Sequence, residues 1–136
     1  MTIGPGTRVG PYEVTALLGE RGMGKVWRAR HLLEAAEAIM VPFVVLGELR
    51  AGFARGRRQA ENEGTLRRFL LKEGVRVLFA DDQTTHHYAS VFRQLKRQGT
   101  PIPTNDMWLA ALVLQHNLAL HARDRHFDRL PQLVRV

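Results

Sequence analysis

The stretch "VPFVVLGELRAGFARG" (residues 41–56) decides the fold, because it joins a strand to a helix with almost nothing between them. "MVPFVV" (40–45) is a short apolar run with β-branched residues and reads as a buried strand. Directly after it, Leu46, Leu49 and Phe53 recur at helical spacing and define one apolar face. Glu48 sits among them, an acid with apolar neighbours just past a strand end. In open α/β sheets, sites gather outside the carboxyl ends of strands, which makes Glu48 a candidate site residue. The plainer alternative is an ion pair with a neighbour such as Arg50.

The same alternation of strand and helix extends both ways. Upstream, "YEVTAL" (12–17) is a candidate strand, and "RARHLLEAAEAI" (28–39) carries Leu32, Leu33, Ala36 and Ile39 at helical spacing. Downstream, "AENEGTLRRFLLKEG" (60–74) predicts a helix ending at Gly74, and "VRVLFA" (75–80) a strand. Asp82 or Thr84 is placed to cap the next helix, which stops at Gly99 before the rigid "TPIP" loop. "TNDMWLAALVLQHN" (104–117) is apolar nearly all round, hence a buried helix. "LALHA" (118–122) predicts a strand, "RDRHFDRLP" (123–131) a turn and "QLVRV" (132–136) a last strand. Strands alternating with helices imply an α/β domain with a mainly parallel sheet.

At 136 residues the chain is the size of one domain. It has no cysteine, which excludes disulfides and thiolate metal sites. No apolar run approaches the roughly 18 residues that span a bilayer, and the opening "MTIGPGTRVGPYE" lacks the pattern of a signal peptide. A cytoplasmic protein with no membrane partner is the expectation. The formal charge of +7 is carried by clustered arginines, in "ARGRR" (54–58), "LRR" (66–68), "LKR" (95–97) and "ARDRHFDR" (122–129). Guanidinium groups suit bidentate contacts with phosphate, so a polyanion is a candidate partner. A solvated arginine-rich surface accounts for the charge equally well.

Two further acids stand where a bland fold does not put them. Asp106 begins the most apolar helix, and Asp124 follows the strand "LALHA". With Glu48 they can converge on one sheet edge. Converging carboxylates repel and are costly to bury, and hard divalent cations such as Mg²⁺ are the usual compensation. Such ions activate water and stabilise the oxygens of a phosphodiester displacement. The alternatives are a helix cap for Asp106, rivalled by Thr104 and Asn105, and a turn residue for Asp124. His116, His121 and His126 recur every five residues, which is not the face of a helical zinc site. The histidines are therefore expected on the surface or facing substrate. Trp108 is expected in the core, and Tyr88, Phe92 and Leu95 in the core or on a dimer face.

These segments resemble the PIN domain, and within it the VapC-type toxins of bacterial toxin–antitoxin pairs. The likeness runs from about Arg28 to Val136 and rests on "VPFVVLGELRAGFARG", "TTHHYASVFRQLKRQGTPIPTNDMWLAA" and "LALHARDRHFDRLPQL". It implies a three-layer α/β/α fold and a Mg²⁺- or Mn²⁺-dependent endoribonuclease. It also implies a homodimer, inhibited by a VapB-like antitoxin. The motif acids of the family fall on Glu48, Asp106 and Asp124, as metal ligands and catalytic residues. Thr104 and Asn105 match neighbours that shape the site, and Asp128 is a further auxiliary acid. Arg50, Arg123 and Arg125 are the arginines placed to hold an RNA backbone.

The chain departs from that family at its front. Family members open on an apolar strand ending in an Asp, as in "LLDTN", whereas no Asp precedes Asp81 here. "YEVTAL" is in position to fill the central strand, with Thr15 or Glu13 near the missing acid. Residues 1–30 instead resemble the glycine-rich opening of a bacterial serine/threonine kinase, in "PGTRVGPYEVTALLGERGMGKVWRAR". Gly19 and Gly24 match the G-x-G-x-x-G loop, but Arg21 takes the middle glycine, and the later kinase motifs are absent. The expected organisation is a kinase-like segment (1–27) that replaces the first strand of a PIN-like domain (28–136). The expected consequence is impaired RNA hydrolysis, or a module that binds RNA or antitoxin without cleaving.

Overall fold

Five short strands, all parallel, form the sheet of the computed structural model, which describes residues 14–16, 38–122 and 124–135. They are β1 (Val14–Ala16), β2 (Ile39–Pro42), β3 (Val75–Leu78), β4 (Ala119–His121) and β5 (Val134–Arg135), in the spatial order β3-β2-β1-β4-β5. Among the described residues, four helices accompany them: α1 (Phe43–Ala54), α2 (Gln59–Leu70), α3 (Asp82–Gln98) and α4 (Thr104–Gln115). A short 3₁₀ turn, η1 (Arg125–Arg129), lies between β4 and β5. A parallel sheet must be covered on both faces. Successive residues Ala119 and Leu120 point to opposite faces of β4, and both are fully buried. The chain thus forms the three-layer α/β/α fold expected of it.

"VTA" from the expected strand over 12–17 takes the centre of this sheet, paired with β2 on one side and β4 on the other. Most of the helix expected over 28–39, like the kinase-like glycine pattern and Glu13, lies outside the described residues. Its last residue, Ile39, belongs to β2 instead. There it is fully buried and paired with Val14 and Val75.

The strand expected over 40–45 ends early, at Pro42, and Phe43 already starts α1. A short apolar run fits a buried strand or a buried helix equally, and here it is split between the two. Val45 and Leu46 join Leu49 and Phe53 on the buried face of α1. α2 also stops earlier than Gly74, at Leu70. Gly74 instead makes the turn into β3 with φ of 84°, and its carbonyl accepts from the Ile39 amide at 2.8 Å. That left-handed conformation is one glycine adopts without penalty.

α3 is capped by Asp81, one residue before the expected Asp82, with Thr84 as its reciprocal partner. The Thr84 amide donates to Asp81 Oδ1 at 3.2 Å and the Asp81 amide donates to Thr84 Oγ1 at 2.9 Å. Thr84 is fully buried, and its hydroxyl donates to Gln115 Oε1 at 2.5 Å. Gln115 Nε2 returns a bond to Asp81 Oδ1 at 2.9 Å, so the start of α3 is locked to the end of α4. Gly99 ends α3 in the left-handed conformation, as expected. Between the two helices, Tyr88 stacks on Trp108 with ring centroids 4.1 Å apart. Leu95 is buried, while Phe92 stays about half exposed.

This ring of bonds generates two expectations. Thr84→Val keeps the shape but loses both bonds of the hydroxyl, and should cost about 1–3 kcal/mol of stability in urea unfolding. The Asp81 carboxyl is held below the usual carboxylate range, first by the Gln115 side chain and then by the Thr84 amide. A carboxylate with a depressed folded pKa adds stability above its unfolded value of about 3.9, and loses it as pH falls through the lower folded value. Asp81→Asn keeps a capping oxygen and should flatten the acid limb of a Tm-against-pH curve below about pH 4. An acid limb as steep as that of the parent chain would count against this role.

Candidate metal centre

From β1 the chain builds outward to β2 and β3, then crosses back to place β4 and β5 on the other side. The strand order therefore reverses between β1 and β4, and in such sheets the crevice outside the carboxyl ends at the reversal is the place for a site. Three segments reach that end: α1, which leaves β2 and carries Glu48; the first turn of α4; and the η1 turn that follows β4.

On α4 the capping position is Pro103, which makes no side-chain cap, and Asp106 lies inside the first turn. Asp106 is therefore not the cap. Its carboxylate sits where the unpaired amides of a helix start favour negative charge. Asp124 is the N-cap of η1, and its Oδ1 accepts from the His126 amide at 2.9 Å. The turn role weighed for Asp124 is real, but it is only part of the geometry. His126 Nδ1 lies 2.8 Å from Asp106 Oδ2 and 3.0 Å from Asp124 Oδ1. One donor atom from each of Asp106, Asp124 and His126 falls within 4.8 Å of the others. Their side chains are 18%, 31% and 37% exposed, enough for a small ligand to enter without unfolding.

Glu48 approaches through Asn105, whose Nδ2 donates to Glu48 Oε1 over a long 3.4 Å. Behind the cluster, Arg135 fastens the loop that carries two of its members. Its Nη2 donates to the carbonyls of Ala122 at 2.6 Å and Asp124 at 3.3 Å, and its Nη1 to Asp128 Oδ1 at 3.0 Å. The guanidinium also lies over the ring of buried Phe127, 5.7 Å from its centroid.

The sequence and the fold both have counterparts among known proteins. The PIN domain family profile matches residues 17–133. The chain belongs to the PIN-domain family. Among its relatives is "Ribonuclease VapC1" of Haemophilus influenzae (strain R2866), 38% identical over 65 residues, which are 47% of this chain and 48% of that protein. The alignment thus spans about half the length of that curated relative. "Ribonuclease VapC2" of Rickettsia felis is 25% identical over 104 residues, 76% of each chain. In fold, the chain resembles the DNA-bound VapBC of Salmonella typhimurium with a TM-score of 0.75 and 20% identity, over 92% of this chain and 97% of that one.

Within this PIN domain, the residues singled out from the sequence fall in different places. Asp106 and Asp124 meet at the cluster, and Glu48 and Asn105 adjoin each other beside it. Thr104 is exposed on the first turn of α4, and Arg125 is exposed on η1. Asp128 turns to Arg135, and Arg50 is gripped by Glu63 of α2 at 2.9 and 3.0 Å, not by Glu48. That grip, reinforced by Arg67, holds the Glu63 carboxyl below its ordinary range. Thr15 lies on β1 in register with Met40 and Leu120, while Arg123 and Glu13 lie outside the described residues. His126, expected like the other histidines on the surface or facing substrate, is partly exposed and stands between the two carboxylates. Its only sequence signal is its place two residues after Asp124, a spacing that a 3₁₀ turn folds onto one point.

If Arg135 fixes the loop, Arg135→Leu should speed amide exchange of residues 124–128 by at least about tenfold, with α3 unchanged. Exchange that stays at the parent rate would show that Phe127 and Leu130 hold the loop by packing alone.

Proposed function

We propose that this PIN domain is an endoribonuclease of the VapC type, hydrolysing RNA phosphodiester bonds with Mg²⁺ or Mn²⁺. The observation that carries this reading is the meeting of Asp106, Asp124 and His126 at the reversal of strand order. The donor set fits the group: carboxylate oxygens suit Mg²⁺ and Mn²⁺, and an imidazole is compatible with the latter. When bound, such an ion supplies an activated water and stabilises charge on the phosphodiester oxygens. Asp106 and Asp124 hold the ion, Glu48 completes the acidic edge through Asn105, and Arg135 keeps Asp124 in place. Arg125 and Arg123 hold the RNA backbone, and Arg50 joins them only by leaving Glu63.

The names of the relatives also support a VapB-like antitoxin as partner, and the resemblance supports a homodimer in the cytoplasm. No described helix is long and apolar enough to cross a membrane. We assign residues 1–27 to a kinase-like segment that supplies the first strand, and residues 28–136 to the ancestral domain. One observation favours a second reading, a module that binds RNA or antitoxin without cutting. No Asp stands in the central strand, which reads Val14, Thr15, Ala16, and none precedes Asp81 in the sequence.

The test is metal-dependent cleavage of RNA by the purified chain, compared with Asp106→Asn. Loss of at least about a hundredfold in rate is expected. Cleavage that survives the substitution would rule out the carboxylate mechanism, and no cleavage by either chain beside tight RNA or antitoxin binding would favour the second reading. Restoring the acid as Thr15→Asp should raise Mn²⁺ affinity by about tenfold in calorimetry. An unchanged affinity would place the missing acid elsewhere.

A further inference from the structure

We infer that His126 is itself a ligand, so that the centre is a two-carboxylate, one-imidazole site selecting Mn²⁺ over Mg²⁺. The inference deepens the nuclease reading, and rests on it only for the presence of a divalent ion. Three features of the cluster lead to it. First, Nδ1 of His126 faces both carboxylates at once, at 2.8 and 3.0 Å. Neighbouring donors around a six-coordinate ion with bonds of about 2.1 Å are separated by about 3.0 Å. The imidazole nitrogen already stands close to that separation from each oxygen, and all three donors lie within 4.8 Å of one another, so a small ion needs only modest movement to take them. Second, the ring is fixed by the backbone. The His126 amide is bound by Asp124 and the next residue, Phe127, is buried under Arg135, so the imidazole is presented to the acids and not left to wander. Third, no Asp is available from the central strand to give the ion another hard oxygen. A nitrogen therefore stands among the donors that a purely acidic site would fill with oxygen.

The choice of ion follows from donor chemistry. Mg²⁺ demands oxygen ligands and gives up its waters reluctantly, whereas Mn²⁺ accepts imidazole beside carboxylate. Zn²⁺ would bind the same donors more tightly still, in line with the usual order of divalent affinities. The competing account is that His126 only orients the two carboxylates through Nδ1–H. In that case its loss weakens every divalent ion alike, because the oxygens alone make the bonds.

The test uses the full chain without a histidine tag, loaded with Mn²⁺, and reads ¹⁴N couplings by pulsed electron paramagnetic resonance. A nitrogen coupling on bound Mn²⁺ that disappears in His126→Asn is the expected result. Titration of the same two proteins should show Mn²⁺ affinity falling by about tenfold or more, with Mg²⁺ affinity by competition little changed. His126→Asp, which supplies a third carboxylate, should shift the preference toward Mg²⁺. The inference is overturned if bound Mn²⁺ shows no nitrogen coupling, if the coupling persists in His126→Asn, if both ions weaken equally, or if Mn²⁺ does not bind. Absence of RNA hydrolysis beside a His126-dependent coupling would defeat the nuclease reading and leave the ligand assignment standing.

Discussion

Two carboxylates from different elements share one imidazole nitrogen, and the carboxyl edge of the sheet is built around that meeting. Asp106 and Asp124 repel each other, and partial burial makes the repulsion dearer than it is in water. The fold answers with several devices at once. The first turn of α4 presents its amides near Asp106, the η1 amide of His126 binds Asp124, and the imidazole stands between the acids. Each device is local, but each needs α4 and the η1 loop to be held at a fixed distance. Tyr88 on Trp108 and the Asp81–Thr84–Gln115 ring fix α4 against α3, and Arg135 fixes the loop against β5.

Much of the framework was legible in the sequence, because it depends on patterns that burial enforces. β2, α1 and α4 are visible as apolar runs and faces, since a parallel sheet and its covering helices must be apolar on the sides that meet. The element boundaries were less legible. Nothing in "MVPFVV" tells a reader that Pro42 ends the strand, because buried apolar residues, Val41 before it and Val45 after it, stand on both sides. The cap of α3 moved by one residue for a related reason. Asp81 and Asp82 are both good caps, and only the burial of Thr84 against Gln115 selects the first.

At the site, the acids were legible and the histidine was not. An acid at the start of an apolar helix or just after a strand is conspicuous, as with Asp106 and Asp124. His126 sits in a polar turn among arginines, where an exposed imidazole is the ordinary expectation. What brings it to the acids is the 3₁₀ turn, which no hydrophobic period announces and which is tied to Arg135, 13 and 11 residues beyond its carbonyl partners Ala122 and Asp124. Arg50 failed in the opposite sense. It is close to Glu48 in sequence, but α2 offers Glu63 in the geometry that a guanidinium fork fits best.

The sheet order makes the central strand the element a PIN domain can least do without, since β1 bridges the two halves of the sheet. Its pairing asks for backbone and for small or β-branched residues, and "VTA" meets that demand. The proposed nuclease chemistry asks something different of the same strand, an acid at its end. The two requirements are physically separable, because strand pairing is a backbone property and the acid is a single side chain. Asp106, Asp124 and His126 all come from segments after β3, and their fasteners, Gln115 and Arg135, do too. The sheet thus keeps its centre, and the candidate metal centre keeps the donors that α4 and η1 supply, with no aspartate in the first strand. The site that remains is poorer in oxygen than a carboxylate-only centre, and its imidazole follows from the η1 turn and not from the strand.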